Sequence, residues 1–171
     1  MRGRGETCGP SVVVLRRARY ADLPGLVDLM RTSQAAERDF SPELGERRFD
    51  VRHSRRCFVR DLRQPRLRWW VGCANARIVA MIGADFRRVN YRHAVTRRYL
   101  YVHSLYVVPA WRGRGIARRL VRRALRWGGR CGAQQARIEM AAGNAAAGNL
   151  YRSFGFVTRE RMLAVPLKEA R

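Results

Sequence analysis

The 171 residues predict a single α/β domain built on a mixed sheet. Three features carry that expectation. β-branched and aromatic runs alternate with stretches whose apolar residues recur at helical spacing. Glycine and proline punctuate the boundaries between them. Hydrophobic residues make up 47% of the chain, and a chain of this length buries roughly two-thirds of its unfolded surface, enough for one real core.

Residues 1–11, rich in glycine and arginine, read as a loose tail ahead of a domain spanning 12–171. Residues 12–15 are a first strand by their β-branched content. Asp22 then caps a helix, with Pro24 and Gly25 near its first turn and Leu23, Leu26, Val27 and Met30 on its packing face. Residues 34–61 are polar and helical in part, and hold six of the thirteen acids: Glu37, Asp39, Glu43, Glu46, Asp50 and Asp61. Residues 67–73 form a strand, Ala74, Asn75 and Ala76 a tight turn, and 78–86 the strand that pairs back. After a polar loop at 87–96, a long strand covers 98–108 and is closed by Pro109.

Residues 111–115 are a glycine–arginine turn opening a helix over 116–127, whose apolar positions share one face. Gly128, Gly129 and Gly132 end it. A short strand at 136–140, a helix at 144–154 and one or two closing strands in 156–167 complete the order β-α-α-β-β-β-α-β-α-β. No repeat or dividing linker interrupts it.

Composition narrows the classes of function. Thirty-six basic residues against thirteen acids give a net charge of +23, and only Lys168 is a lysine. Such a field attracts polyanions, nucleic acid and phosphorylated cofactors among them. A nucleic-acid binder would use lysine as well as arginine, so the imbalance points first to codon composition, with nucleic acid a secondary partner. No apolar run approaches the ~20 residues of a membrane span, and 12–15 is too short for a signal peptide. A soluble, cytoplasmic protein with no membrane partner is expected. Cys8, Cys57, Cys73 and Cys131 lack C-x-x-C spacing and make no zinc pattern with His53, His93 and His103, so reduced thiols and no metal are expected.

The turn from Arg112 to Ala117 joins a strand to a helix. Its glycines allow a sharp bend and close approach of a ligand, and a helix start offers unpaired N–H groups and a positive dipole end. Together they make a diphosphate cradle. Arg112, Arg114 and Arg118 surround it, and residues 111–130 hold eight arginines and no acid. Neither the G-x-G-x-x-G nor the Walker pattern is present.

The order of a strand, Val107-Val108-Pro109, then Arg112-x-x-Gly115-x-Ala117, resembles the acetyl-CoA signature of the GNAT superfamily of N-acetyltransferases. Asn144-x-x-Ala147-x-x-Leu150-Tyr151 and Phe154-Gly155-Phe156 follow, starting 27 residues beyond Ala117, as the family's second element. The clear match covers about 98–158. The resemblance implies a mixed, mostly antiparallel sheet flanked by helices. It implies an enzyme that takes acetyl-CoA as donor and a primary amine, of a small molecule or a protein N-terminus, as acceptor.

By that resemblance, the backbone amides of Arg112, Gly113, Arg114, Gly115, Ile116 and Ala117 would hold the pyrophosphate. Backbone groups of Val107 and Val108 would pair with pantetheine as an added strand does. The arginine face of the following helix could meet the 3′-phosphate. Asn144 would bond the pantetheine arm, and it fits a helix N-cap equally. Tyr151 would protonate the leaving thiolate; a packed aromatic is the other reading.

Many members carry a glutamate six residues before the proline, where this chain has His103 followed by Ser104. With an ordinary pKa of ~6.5, a histidine can deprotonate an amine near neutrality. A structural or substrate-contacting histidine is the alternative. The acidic stretch around Glu43 and Glu46 falls where the family places substrate-facing helices, and reads equally as a solvated face. Trp69 and Trp70 read as sheet packing on opposite faces. Family members are often homodimers. An alternative assignment is a basic RNA- or ribosome-associated protein on this fold with vestigial catalysis.

Overall fold

A computed structural model describes residues 12–40, 48–89 and 97–160. The elements run β1 (Val14–Arg17), a 3₁₀ turn (Tyr20–Asp22), α1 (Leu23–Glu37), α2 (Val51–Arg63), β2 (Leu67–Ala74), β3 (Arg77–Arg88), β4 (Arg98–Val107), a second 3₁₀ turn (Pro109–Trp111), α3 (Ile116–Arg130), β5 (Gln135–Ile138) and α4 (Ala145–Arg152). One sheet has the order β1-β2-β3-β4-β5. Its first four strands are antiparallel and β5 is parallel to β4, so the sheet is mixed and mostly antiparallel as expected.

Each face of the sheet buries its own cluster. Leu23, Leu26, Val27 and Leu29 of α1 and Phe58 of α2 pack on Trp69, Val71, Met81 and Tyr106. Leu120, Val121, Ala124 and Trp127 of α3 pack on Trp70, Ile82, Leu100 and Val102. Adjacent tryptophans thus serve opposite cores, because successive strand residues point to opposite faces. Trp69 meets Phe58 and Trp70 meets Trp127, each edge to face. The β2–β3 turn places Asn75 at φ +46° and Ala76 at φ +60°, the handedness that matches strand twist in a two-residue hairpin.

Several expectations change. The first strand lies at Val14–Arg17 rather than 12–15. Asp22 does precede α1, but its carboxylate makes no cap bond there. It instead accepts two bonds from the Arg16 guanidinium, at 2.6 and 2.7 Å, and one from the Arg19 amide. Gly128 and Gly129 lie inside α3, which runs on to Arg130; the left-handed residue that follows it is Gly132. Gly128 is there for contact, since a Cβ would fall 2.8 Å from Leu100 Cδ2. Residues 156–160 are not strand, and the rest of the expected closing strands, with residues 1–11, Glu43 and Glu46, lies outside the described residues. Among the described residues no helix is long and apolar enough to cross a membrane, and no cluster suits a metal ion. Cys57 and Cys73 are half-buried and Cys131 exposed, all as free thiols.

Candidate active site

The site begins at a break in β4. Met81 pairs with Tyr106 and Gly83 with His103, so Ser104 and Leu105 together oppose Ile82. This is a β-bulge, and Ser104 adopts φ +53° to make it. The bulge exchanges the faces of the strand. Before it, Leu100 and Val102 look toward α3; after it Val107 does, while Tyr106 joins the core under α1.

The bulge also marks where β4 and β5 part. Their ladder runs from Tyr99↔Gln135 to Val102↔Ile138 and stops there. Beyond it, the Val108 amide donates to Val79 O at 2.9 Å, inside the sheet. Antiparallel bonding alternates from residue to residue, so the Val107 backbone faces the side β5 has left. The Val107 carbonyl accepts Arg112 Nε at 3.0 Å. Of the two residues expected to pair with pantetheine, Val107 is therefore the one turned outward.

The phosphate turn follows at that end of β4. Gly113 and Gly115 take φ +75° and +70°, and a Cβ on either would meet nothing within 4 Å. The left-handed backbone calls for glycine, and the space above it is open. Gly115 is the N-cap of α3, with no side chain capping the helix, so the first amides from Ile116 onward have no partner from a capping residue. A cradle of this kind fits a diphosphate. The three arginines around it each rest on an aromatic ring: Arg112 on Tyr106 at 5.8 Å, Arg114 on Trp111 at 4.7 Å and Arg118 on Phe154 at 5.5 Å. The sequence did not show these arginines paired with the rings, which lie on β4, in the second 3₁₀ turn and just after α4.

Asn144 is the N-cap of α4, its Oδ1 accepting from the Ala147 amide at 3.1 Å. The bond uses the oxygen and leaves the Nδ2 protons as donors. Tyr151, on the last turn of α4, is buried among the α3-side core and meets Phe156 edge to face. Burial pushes its phenol up to about 12, so it holds its proton at any ordinary pH.

His103 lies on the opposite face of the sheet. Its Nδ1 is 3.2 Å from Ser104 Oγ, Trp69 meets the ring edge-on at a centroid distance of 5.1 Å, and Tyr101 stacks on it at 5.9 Å. Burial lowers the imidazole pKa below its usual value, opposed by the charges of Asp61 and Asp85. The ring is therefore neutral at pH 7, with a lone pair available. Three residues set this environment, a role the sequence did not show for any of them. Gly83 sits between Trp69 and His103 in the row Trp69↔Gly83↔His103, and only its lack of a side chain lets the two rings touch. Asp61, buried on α2, accepts the Trp69 indole at 3.3 Å. Ser104 supplies both the bulge and the Nδ1 partner. The W-G-H row is a register property, so only the correct pairing of three strands reveals it.

The acetyltransferase (GNAT) family model matches residues 29–156. A curated relative, the L-methionine sulfoximine/L-methionine sulfone acetyltransferase of Salmonella typhimurium, is 36% identical over 74 residues, 43% of each chain. The match thus spans less than half of that relative. Among solved structures, a putative acetyltransferase from Agrobacterium tumefaciens is 25% identical with a TM-score of 0.68, covering 90% of this chain and 99% of that one. A predicted acetyltransferase of Clostridium acetobutylicum, solved with acetyl-CoA, has a TM-score of 0.72 at 22% identity, covering 91% of this chain and 96% of that one. With three-quarters of its length inside the family model, the chain belongs to the acetyltransferase (GNAT) family, whose acetyl donor is acetyl-CoA.

Proposed function

We propose that the protein moves the acetyl group of acetyl-CoA to a primary amine by direct attack on the thioester, with His103 as base and Tyr151 as acid. The observation that carries this reading is the coincidence, at one end of β4, of two openings. The strand parts from β5 beyond Val102, and the uncapped start of α3 follows with its two left-handed glycines. A small molecule and a protein N-terminus both present a primary amine; the Salmonella relative, by its name, acts on amino-acid analogues, which favours the small molecule.

The chain's residues divide the work. The Arg112 amide, expected among the pyrophosphate donors, is already given to Pro109 O at 3.0 Å, so the amides from Gly113 to Ala117, ringed by the Arg112, Arg114 and Arg118 side chains, would hold the pyrophosphate. The Val107 backbone would pair with the pantetheine arm once Arg112 leaves its carbonyl, and the Asn144 Nδ2 would donate to the same arm. An alkylammonium near pKa ~10 must lose a proton before it attacks. His103, neutral because it is buried, takes that proton. The thioester would lie in the gap where β4 parts from β5, open to both faces of the sheet, and there Tyr151 gives its phenolic proton to the departing sulfur from the face opposite His103. A C–N bond forms, the C–S bond breaks, and the products are the acetamide and the free thiol.

Calorimetric titration with acetyl-CoA tests the donor site. Micromolar binding that Gly115→Glu loses, with ADP much weaker, is expected; equal binding of ADP, or by the variant, overturns it. For the base, activity rises with pH through a limb lying below the usual histidine pKa of ~6.5. His103→Ala removes that limb, and an unchanged profile sinks the assignment.

A further inference from the structure

We propose that Asp85 and Arg87, paired on the open part of the sheet beside His103, are the receptor for an α-amino-acid acceptor held as its zwitterion. The inference rests on the acetyltransferase reading and names the acceptor class of that same site.

The placement follows from register. Gly83, Asp85 and Arg87 are successive same-face positions of β3, opposite His103, Tyr101 and Tyr99 of β4. Arg87 Nε donates to Asp85 Oδ2 at 2.8 Å. The guanidinium carbon lies 4.0 Å from the Tyr101 ring centroid, and Tyr101 in turn stacks on His103. One aromatic ring therefore separates a fixed guanidinium from the imidazole. The two charged side chains remain 25% and 43% exposed, whereas Trp69 and Phe58, further along the same face, are buried. A solute can reach the pair.

The chemistry is complementary. An α-amino acid carries an ammonium and a carboxylate on one carbon, and Asp85 and Arg87 present the opposite signs side by side. The guanidinium is planar with five donors, so it can turn two parallel N–H groups to a carboxylate while resting on Tyr101. Asp85 receives the ammonium on the His103 side. On binding, each protein charge exchanges its partner for one of the same sign, so neither is left bare. A surface pair of this kind contributes little to stability, so stability gives little reason for it. A simple amine brings no carboxylate to Arg87. A protein N-terminus brings an amide there instead and is disfavoured for the same reason.

In the reaction, the ammonium loses one proton to His103 and attacks the thioester carbon. The nitrogen's second proton passes to water as the C–N bond forms, the thiolate leaves with a proton from Tyr151, and water returns a proton to the Tyr151 phenolate while His103 releases its own. The product is the N-acetyl amino acid and CoA thiol, with the carboxylate unchanged.

The test uses the whole chain loaded with CoA or acetyl-CoA. Calorimetry and thiol release are measured with the twenty L-amino acids and L-methionine sulfone. Each one that binds or turns over is compared with its carboxamide and its decarboxylated amine. The expected kcat/KM favours the amino acid over both analogues by at least tenfold. Arg87→Ala brings that ratio toward one, Arg87→Lys recovers part of it, and Asp85→Asn raises KM for the amino acid. Circular dichroism and CoA affinity verify that the variants fold. Equal turnover of the analogues by the wild-type protein overturns the proposal. So does an Arg87→Ala effect equal on acid and amine, or an absence of binding by every amino acid. If His103→Ala leaves the pH profile intact while Arg87→Ala abolishes the carboxylate preference, the base assignment fails and the receptor stands.

Discussion

Replacing Gly83 by alanine separates the positioning of His103 from everything else in the protein. A Cβ at residue 83 falls 2.3 Å from His103 Cε1, 2.7 Å from Nδ1 and 2.8 Å from Nε2. Carbon atoms rest about 3.5–4.0 Å apart, so the ring must withdraw by roughly 1 Å or more. All three contacts come from one rigid ring, so no flexible tip can swing aside. Withdrawal lengthens the 3.2 Å bond to Ser104 and loosens the edge contact with Trp69. A catalytic group displaced by 1 Å lowers turnover by about 10²-fold, and overpacking a buried strand costs about 1–3 kcal/mol. Thiol release at saturating substrates reads the first and thermal unfolding the second. The calorimetric affinity for acetyl-CoA stays the same, because the partners of the His103 ring, Trp69, Tyr101 and Ser104, lie outside the turn at residues 112–117. Gly25→Ala is the comparison, since its Cβ falls nearest the Cδ1 end of the Ile78 side chain, at 2.9 Å, with Cγ1 and Cβ further off at 3.3 and 3.4 Å. A Gly83→Ala protein with kcat within twofold of wild type would refute both the role of His103 and the geometry assigned to it.

The other expectations are shorter. Tyr151→Phe keeps the ring in its core and removes only the proton donor, so kcat falls by about 10²–10⁴ with little change in melting temperature; an unaffected kcat removes Tyr151 from the mechanism. Gly129→Ala stabilises the fold by about 0.5–1 kcal/mol, because the position is an exposed part of α3 where a Cβ meets nothing within 4 Å; a lowered melting temperature would contradict this. Asp22→Ala destabilises by about 1–3 kcal/mol, nearer the lower figure because the Arg16 side chain is 33% exposed. The Arg16 hydrogen bonds, above all, hold the Asp22 carboxyl below its usual range. Its contribution is therefore complete above the unfolded pKa of ~3.9 and lost as pH falls through the lower folded value. Acid titration of the variant lacks that step, and an acid limb identical to wild type argues against the assignment.

The parts of the site readable from sequence are those whose chemistry is local. Gly113, Gly115 and their arginines announce a turn at a helix start, because left-handed backbone and unpaired amides are set by neighbours in the chain. Asn144 could be read as a cap for the same reason. What escaped needs partners far away. Nothing near Ser104 signals its positive φ, which is imposed by Ile82 having two residues opposite it. Gly128 looked like a helix terminator, since the sequence does not show that Leu100 presses against it. Asp22 looked like a cap because Arg16, six residues back, is placed on it only by the turn between them. Asp85 and Arg87 fell at the end of a strand and the start of a loop, and only the longer β3 puts them on one face with His103.

Two arginines of α3 act at a distance from any chemistry. Arg119 Nη2 donates to Val13 O at 3.2 Å and Arg123 Nη1 to Leu15 O at 2.7 Å. Val13 directly precedes β1 and Leu15 lies within it, and β1 is the outermost strand on that side of the sheet among the described residues. An uncovered outer strand is a template onto which another chain can add its own. Here the acceptors such a chain would need are already occupied, each by a charged donor that would also have to be uncovered. The border of the sheet is closed by its own helix, and sheet-to-sheet growth from β1 requires breaking two guanidinium bonds first. Replacing both arginines by alanine would leave the fold's cores intact and open that border to self-association, giving part of the large basic charge a role in keeping copies of the chain apart.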